Sequence, residues 1–337
     1  MTPTRYSILT GEYAWRSKAG SAVLDGAAPL CIPTNTFTLP ELLKQSGYAT
    51  TCIGKWHLGL GEKSTDYNGS LHPGPLELGF DYFFGIPATV DRVPTVFVEN
   101  HRVQGLDAND PIRISYREKV GDEPTGSECP YLLKLQADGQ HSGTIVNGIS
   151  RIGYMTGGKA ARWKDEEQAE IITRHAVNFI QENRSQPFFP YLATLDIHAP
   201  RFPNPRFMKD SQLSYRGGSI AELDWIVGEV FAELKKSNLD DDTLVIFSSD
   251  NGGATGDGYV EESLAGHRFN GPLRGLKSSL WEGGSRVPMW RAGRAKSNRL
   301  KPNASSRNWI YSPPPPNSRH RNCPPMRRST ASVFSPC

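Results

Sequence analysis

Two stretches of helical periodicity, each followed by a short unbroken apolar run that ends on polar residues, constrain this chain more than any other feature. Asp165 to Glu182 places Ala169, Ile172, Ala176 and Phe179 at helical spacing. After Pro187, the apolar run Phe188 to Leu195 ends at Asp196-Ile197-His198. Ile220 to Leu234 repeats the pattern through Leu223, Val227, Val230 and Leu234, and Leu244-Val245-Ile246-Phe247 then ends at Ser248-Ser249-Asp250-Asn251-Gly252. A strand that is apolar on successive residues needs cover on both faces. The pattern therefore predicts an α/β fold, a central and mostly parallel sheet with helices on both faces. Ligands of such sheets gather beyond the carboxyl ends of the strands.

A third unit precedes these. Thr38 suits an N-cap with Glu41 three residues on, Leu42 and Leu43 supply an apolar side, and Gly47 supplies a left-handed stop. Tyr48 to Ile53 then reads as a strand that opens into Gly54-Lys55-Trp56-His57-Leu58-Gly59. Between Leu60 and Tyr154 periodicity is weak and turn residues are frequent, which predicts long loops and a small hairpin.

Composition excludes several classes. No run of about 18 apolar residues exists, so no transmembrane helix is expected. The opening MTPTRYSILTGEYAWRS has no apolar region of signal-peptide type. Cys31, Cys52, Cys129, Cys323 and Cys337 show no CxxC spacing, so neither a zinc site nor a disulfide framework is read, and Cys52 reads as a core residue. Charge is divided unevenly: Ala292 to Cys337 holds nine Lys and Arg and no acid, while the rest is net acidic. That tail, with Pro313 to Pro316 and much Ser and Arg, cannot build a packed core and is expected to be disordered. Its lack of interleaved aromatic residues argues against nucleic-acid binding. Asn68, Asn183 and Asn303 open glycosylation triplets of the kind that chance supplies.

The polar strand ends carry the chemistry. Lys55 and His57 lie two apart, on one side of an extended chain, and suit an anion held by an ammonium group and a proton moved by an imidazole. A plain surface loop would read the same. His198 follows a buried strand, as many structural histidines do. Asp250-Asn251-Gly252-Gly253 offers two adjacent oxygen ligands to a hard cation, or forms an ordinary turn. Lys277 stands in a Gly-rich stretch and His267 nearby is given no role.

In combination the motifs are far more specific. Lys55-Trp56-His57 within GYATTCIGKWHLG, GFDYFFG at 79–85, His198-Ala199-Pro200, Ser249-Asp250-Asn251-Gly252 and GPLRGLKSSLWEGG at 271–284 occur in one order. Together with Pro3-Thr4-Arg5 and Leu9-Thr10-Gly11, this order resembles the sulfatase family of arylsulfatase type, within the alkaline phosphatase-like superfamily. The resemblance covers about 1–290, a partial catalytic domain, followed by the basic tail of 291–337. It implies a sulfuric ester hydrolase that cleaves a sulfated small molecule or glycan with one calcium ion and a formylglycine nucleophile. Arg5 would orient the nucleophile, Lys55 and Lys277 would grip sulfate oxygens, and His57 would assist release of sulfate. His198 would protonate the departing alcohol, and Asp250 and Asn251 would bind the calcium.

The sequence departs from the family at both ends. Met1 stands at the nucleophile position, two residues before Pro3, and a thioether cannot become an aldehyde hydrate. The family's first strand, with its further acidic pair for calcium, has no counterpart, so an incomplete ligand set and an unpaired sheet edge are expected. Beyond Val287-Pro288 the family's apolar strand and smaller C-terminal subdomain are also expected to be missing. These features suggest a mis-assigned start and a frameshifted or decayed end, with little or no activity in the chain as it stands. The competing readings are a non-catalytic binder of sulfate or sulfated glycan, through Arg5, Lys55, His57 and Lys277, and a phosphoesterase of the same superfamily. Family members are usually exported.

Overall fold

A computed structural model describes residues 1–17, 22–137, 139–209, 211, 213–255, 258–259 and 266–293, together with the backbone of Thr330–Phe334. Its centre is an eight-stranded sheet. The strands are β1 (Ala49–Lys55), β2 (Tyr82–Ile86), β3 (Val98–Glu99), β4 (Arg102–Val103), β5 (Phe188–Ala193), β6 (Thr243–Ser248), β7 (Met289–Ala292) and β8 (Thr330–Phe334), in the spatial order β7-β6-β8-β5-β1-β2-β3-β4. The five strands β6, β8, β5, β1 and β2 run parallel, and β7 and the β3-β4 hairpin close the two sides antiparallel.

The unbroken apolar runs are explained by two cores, one on each face of the sheet. Cys52, Phe83, Phe189 and Tyr191 point into one, with Tyr6 and Leu9 of helix α1 (Thr2–Thr10) and with α2 (Leu39–Gln45) packed against it. Their neighbours Ile53, Phe84, Phe188 and Leu192 point into the other. There they meet Ile172, Ala176 and Ile180 of α3 (Gln168–Glu182) and Ile226, Val230 and Leu234 of α4 (Ser214–Lys236). Each successive side chain thus leaves water on alternate faces, and at roughly 25 cal/mol per Å² of apolar surface this burial is the main force holding the sheet flat between helices.

The helix and strand assignments from periodicity hold, with shifted ends. Thr38 caps α2, its hydroxyl accepting from Glu41 N–H at 3.3 Å, and Gly47 follows the helix at φ +84°. Helix α4 starts a turn and a half before Ile220 and runs through Gly217 and Gly218, where its backbone packs closely against neighbouring residues. A Cβ on Gly218 would lie 2.6 Å from Met208 Sδ. Strand β2 was not foreseen within the long loop region. It is recruited by pairing with β1, from Thr51 opposite Tyr82 to Lys55 opposite Ile86.

The expected unpaired edge is absent from the structure. Between β5 and β6 the backbone of Thr330–Phe334 pairs on both sides. Val287-Pro288 leads into a strand after all, β7, antiparallel to β6 from Ser248 opposite Met289 to Val245 opposite Ala292. Two short stretches counted with or next to the disordered tail are therefore strands, recruited by neighbours whose backbone groups need partners. The remaining tail residues, 294–329 and 335–337, lie outside the described residues.

Candidate active site

The carboxyl ends of β5, β1 and β2 come very close together. A Cβ on Gly54, at φ +100°, would stand 2.0 Å from the carbonyl oxygen of Ala193, so only glycine fits there. This crowding delivers Lys55 and His57 to the same end of the sheet as His198, which follows β5, and Asp250, which follows β6.

Helix α1 ties these ends together from above. Thr2 Oγ1 donates to the His57 carbonyl at 2.9 Å, and Thr4 Oγ1 donates to the Asp250 carbonyl at 2.7 Å. Arg5 is fully buried; one guanidinium nitrogen donates to Lys55 O at 2.6 Å and another lies 3.5 Å from Asp250 Oδ2. The Met1 amino group also contacts Asp250 Oδ2 and lies 3.4 Å from Asn251 Oδ1. Burial opposes the charge of Asp250, but the Met1 amino group, Lys55 and Arg5 together hold its carboxyl well below the usual range.

A pocket of about 520 Å³ opens in front of this cluster, and Met1, Lys55, His57, His198 and Lys277 all line it. Arg5, Asp250 and Asn251 stand immediately behind Met1. A larger cavity, about 750 Å³, lies at the amino ends of β1 and β2 between Lys44, Tyr82, His175 and Glu182, and none of the predicted site residues reaches it.

The two histidines are held neutral and their tautomers are set by carbonyl groups. His57, at φ +57°, donates from Nε2 to Leu24 O at 2.9 Å, and its buried Nδ1 has no partner among the described residues. Burial, then the charges of Lys55, Met1, Arg92 and Arg5, push its pKa well below that of free imidazole. His198 donates from Nδ1 to Ala199 O at 2.7 Å, leaving Nε2 to accept from Lys277 Nζ at 3.3 Å. Burial, Lys55 and Lys277 likewise lower its pKa, with Asp91 opposing. The pocket thus concentrates fixed positive charge and two unprotonated imidazoles, an environment made for an anion with oxygen atoms on several sides.

The opposite wall carries residues the sequence reading did not single out. Asp91, Arg92, Thr89 and His141 line the pocket. Arg92 donates to both Asp91 oxygens at 3.1 and 3.2 Å, His141 Nε2 lies 3.3 Å from Oδ2, and Thr89 donates to Oδ1. Although burial works against the charge of Asp91, the contacts from His141, Arg92 and Thr89 hold its carboxyl well below the usual range. The rule that finds Lys55, His198 and Asp250 finds Thr89, Asp91 and Arg92 too, because they follow β2, whereas His141 comes from the short turn Gly139–His141. That strand lay hidden in a region without clear periodicity.

The comparisons with known proteins agree with this geometry. A sequence profile of the family described as Sulfatase matches residues 2–312. The chain belongs to the sulfatase family. It is 51% identical over 291 residues to an N-acetylgalactosamine-6-O-sulfatase of Bacteroides thetaiotaomicron, a match covering 85% of the chain and 57% of the relative. It is 33% identical to a steryl-sulfatase of Mus musculus, over 85% of the chain and 49% of the relative. Among solved structures it resembles one from work on glycosaminoglycan metabolism by Bacteroides thetaiotaomicron, with a TM-score of 0.86 and 50% identity, covering 88% of the chain and 62% of the other. A Pseudoalteromonas sulfatase at 21% identity and TM-score 0.56 shares the fold. The chain spans roughly half to three-fifths of the length of these relatives. The sheet with its central parallel strands and flanking helices is therefore of the alkaline phosphatase-like type. Among the described residues, no helix is long and apolar enough to cross a membrane.

Proposed function

We propose that the pocket binds the sulfate group of a sulfated sugar, and that the reaction it is built for is hydrolysis of R–O–SO3⁻ to an alcohol and sulfate. One observation carries this reading: Lys55 and His57, His198, and Lys277, from three distant stretches of the chain, line a single recess. Lys55 and Lys277 would hold the sulfate oxygens. His198, once protonated in contact with the bound anion, would hand its Nε2 proton to the leaving oxygen, and His57 would serve release of sulfate through its unpartnered Nδ1. Arg5 would hold the cluster rigid from behind.

The wall of Asp91, Arg92 and His141 supports a sugar as the alcohol. It sets a carboxylate acceptor beside guanidinium and imidazole donors, which suits neighbouring ring hydroxyls. The similarity to an N-acetylgalactosamine-6-O-sulfatase supports a 6-sulfated hexosamine.

A calcium ion fits the site only in part. Asp250 Oδ1 is buried without a partner among the described residues, and Asn251 Oδ1 lies 3.4 Å from the amino group that Asp250 Oδ2 contacts, so both oxygens stand near the space a hard cation would take. Yet no group of three or more His, Cys, Asp or Glu side chains able to hold a metal exists among the described residues. Six to eight oxygen ligands are usual for calcium, and Arg5 and the Met1 amino group occupy part of the space around Asp250.

Met1 favours a second reading. Its thioether carries no proton that could be removed to make a nucleophile, so the chain as it stands would retain sulfated-sugar binding without turnover. Calorimetry with a 6-sulfated hexosamine, its 6-phosphate analogue and the unsulfated sugar, combined with a release assay for inorganic sulfate, separates these cases. Binding of the sulfated sugar alone is expected. Equal binding of the phosphate would favour the phosphoesterase reading, and no binding of either anion would overturn the proposal.

A further inference from the structure

A pair of carboxyl groups lies behind the His198 loop and takes no part in the site described above. Asp196 follows β5, two residues before His198, and its Oδ2 is sealed from solvent with no hydrogen-bond partner among the described residues. Glu222, buried on α4, faces it across a small void that both side chains line. The other function of Glu222 is at the far end of the same loop, where its Oε1 accepts from the backbone N–H of Asn204 at 2.9 Å. Asn204 in turn caps the short helical turn Pro205–Phe207, its side chain accepting from Arg206 N–H at 3.1 Å. One carboxyl group thus touches both ends of the segment that carries His198.

Two carboxyl groups sealed against one small void avoid repulsion only if one keeps its proton, which it can then donate to the other. Neighbouring charge relieves this requirement only in part, Arg206 favouring the ionised form of Glu222. Asp165, which faces the same void, is bound to Arg151 at 2.6 Å, and Arg206 is bound to Glu170 at 2.8 Å and lies over the Trp225 ring. The void between Asp196, Glu222 and Asp165 measures about 10 Å³, at the lower limit for one water and too small for a hydrated cation. We propose that protonated Glu222 is a positioning residue: it donates to the Asp196 carboxylate and accepts from Asn204, and so holds the His198 loop closed over the sulfate pocket. Burial, and then the charge of Asp196, move the Glu222 pKa well above the usual carboxylate range, in the direction this arrangement requires. Loss of the proton turns the shared bond into repulsion between two carboxylates and frees both ends of the loop.

The inference rests on His198 belonging to the sulfate site, so the test reads the loop in two ways. Inorganic sulfate is titrated into the whole chain between pH 6 and 10, and the melting temperature is followed over the same range without sulfate. Glu222→Gln keeps both hydrogen bonds, as donor to Asp196 and acceptor from Asn204, but has no proton to lose. Wild-type affinity is expected to fall about tenfold or more on the alkaline side, the equivalent of about one pKa unit of linkage, while the glutamine variant holds its affinity. The variant's melting temperature is expected to rise relative to wild type as pH increases. Glu222→Leu, which makes neither bond, should bind sulfate poorly at every pH. Parallel melting curves for wild type and Glu222→Gln across the range would overturn the clamp, whether or not sulfate binds. Absence of sulfate binding with divergent melting curves would leave the clamp standing and remove the sulfate reading. Should Glu222→Gln not fold, Asp196→Asn replaces the same shared proton from the other side and is read against the same outcomes.

Discussion

Lys277 Nζ stands 3.3 Å from His198 Nε2, while the other ring nitrogen of His198 is fixed on the Ala199 carbonyl at 2.7 Å. The lysine therefore donates to the imidazole, and the ring is neutral with its lone pair aimed into the pocket. A bound sulfate ester would compete for the Lys277 ammonium group and add negative charge beside the ring. Saturation with a sulfated sugar is expected to raise the His198 pKa, read as a shift of its titration by NMR. In Lys277→Met the pKa should already be raised in the free protein, because a depressing cation is gone. An unchanged His198 titration in both experiments would refute the arrangement.

Asp91 gives a pH dependence of opposite sign to Glu222. Its folded-state pKa lies well below the ordinary aspartate value, so it contributes stability above about pH 4, lost as pH falls through and below that value. Asp91→Asn should be less stable than wild type near neutrality and should approach it below about pH 4. Melting temperatures between pH 7 and 3 check this. A constant difference across the range would show that the ion cluster with Arg92 and His141 contributes nothing.

Arg5 joins β1 to β6 while completely buried, so its removal takes a donor from the Lys55 carbonyl and a positive charge from beside Asp250, which keeps the Met1 amino group. Arg5→Met is expected to destabilise the chain by about 3–5 kcal/mol, the cost of breaking one side of a buried charge pair. Urea denaturation measures it.

Gly54→Ala tests the crowding that gathers the site. The added methyl group would stand 2.0 Å from Ala193 O, on a backbone at φ +100° that alanine rarely adopts. Neither strand can yield without breaking its ladder, so little folded protein is expected. Normal melting and sulfate binding in this variant would show that the strand ends are looser than drawn.

Calcium is expected to stabilise the chain weakly if Asp250 and Asn251 receive it. Any rise in melting temperature with calcium should then vanish in Asn251→Ala, whose side-chain oxygen is gone, while magnesium gives a smaller rise. A calcium effect that persists in that variant would place the ion elsewhere.

Much of the fold was legible because burial on both faces leaves a direct mark. Residues such as Phe188, Phe189, Tyr191 and Leu192 have no polar alternation, since neighbours enter different cores. Polar residues set just past such runs, at Lys55, His57, His198 and Asp250, are legible for a related reason: a strand end is where a buried backbone first meets an opening. Asp91 and Arg92 follow the same logic, but β2 borrows its order from β1 and shows too little pattern of its own; His141 reaches the pocket from a short helical turn that no strand announces.

The chain's local chemistry thus determined which segments are helices and strands and which polar groups stand at their tips. Three matters were left to the tertiary structure. It decided that Thr330–Phe334 lies between β5 and β6, that the two histidines are neutral, and that Glu222 touches both ends of the His198 loop. Strand pairing, the loss of water around an imidazole and the sharing of a proton between carboxyl groups all depend on distances across the chain. Spacing along it does not encode those distances.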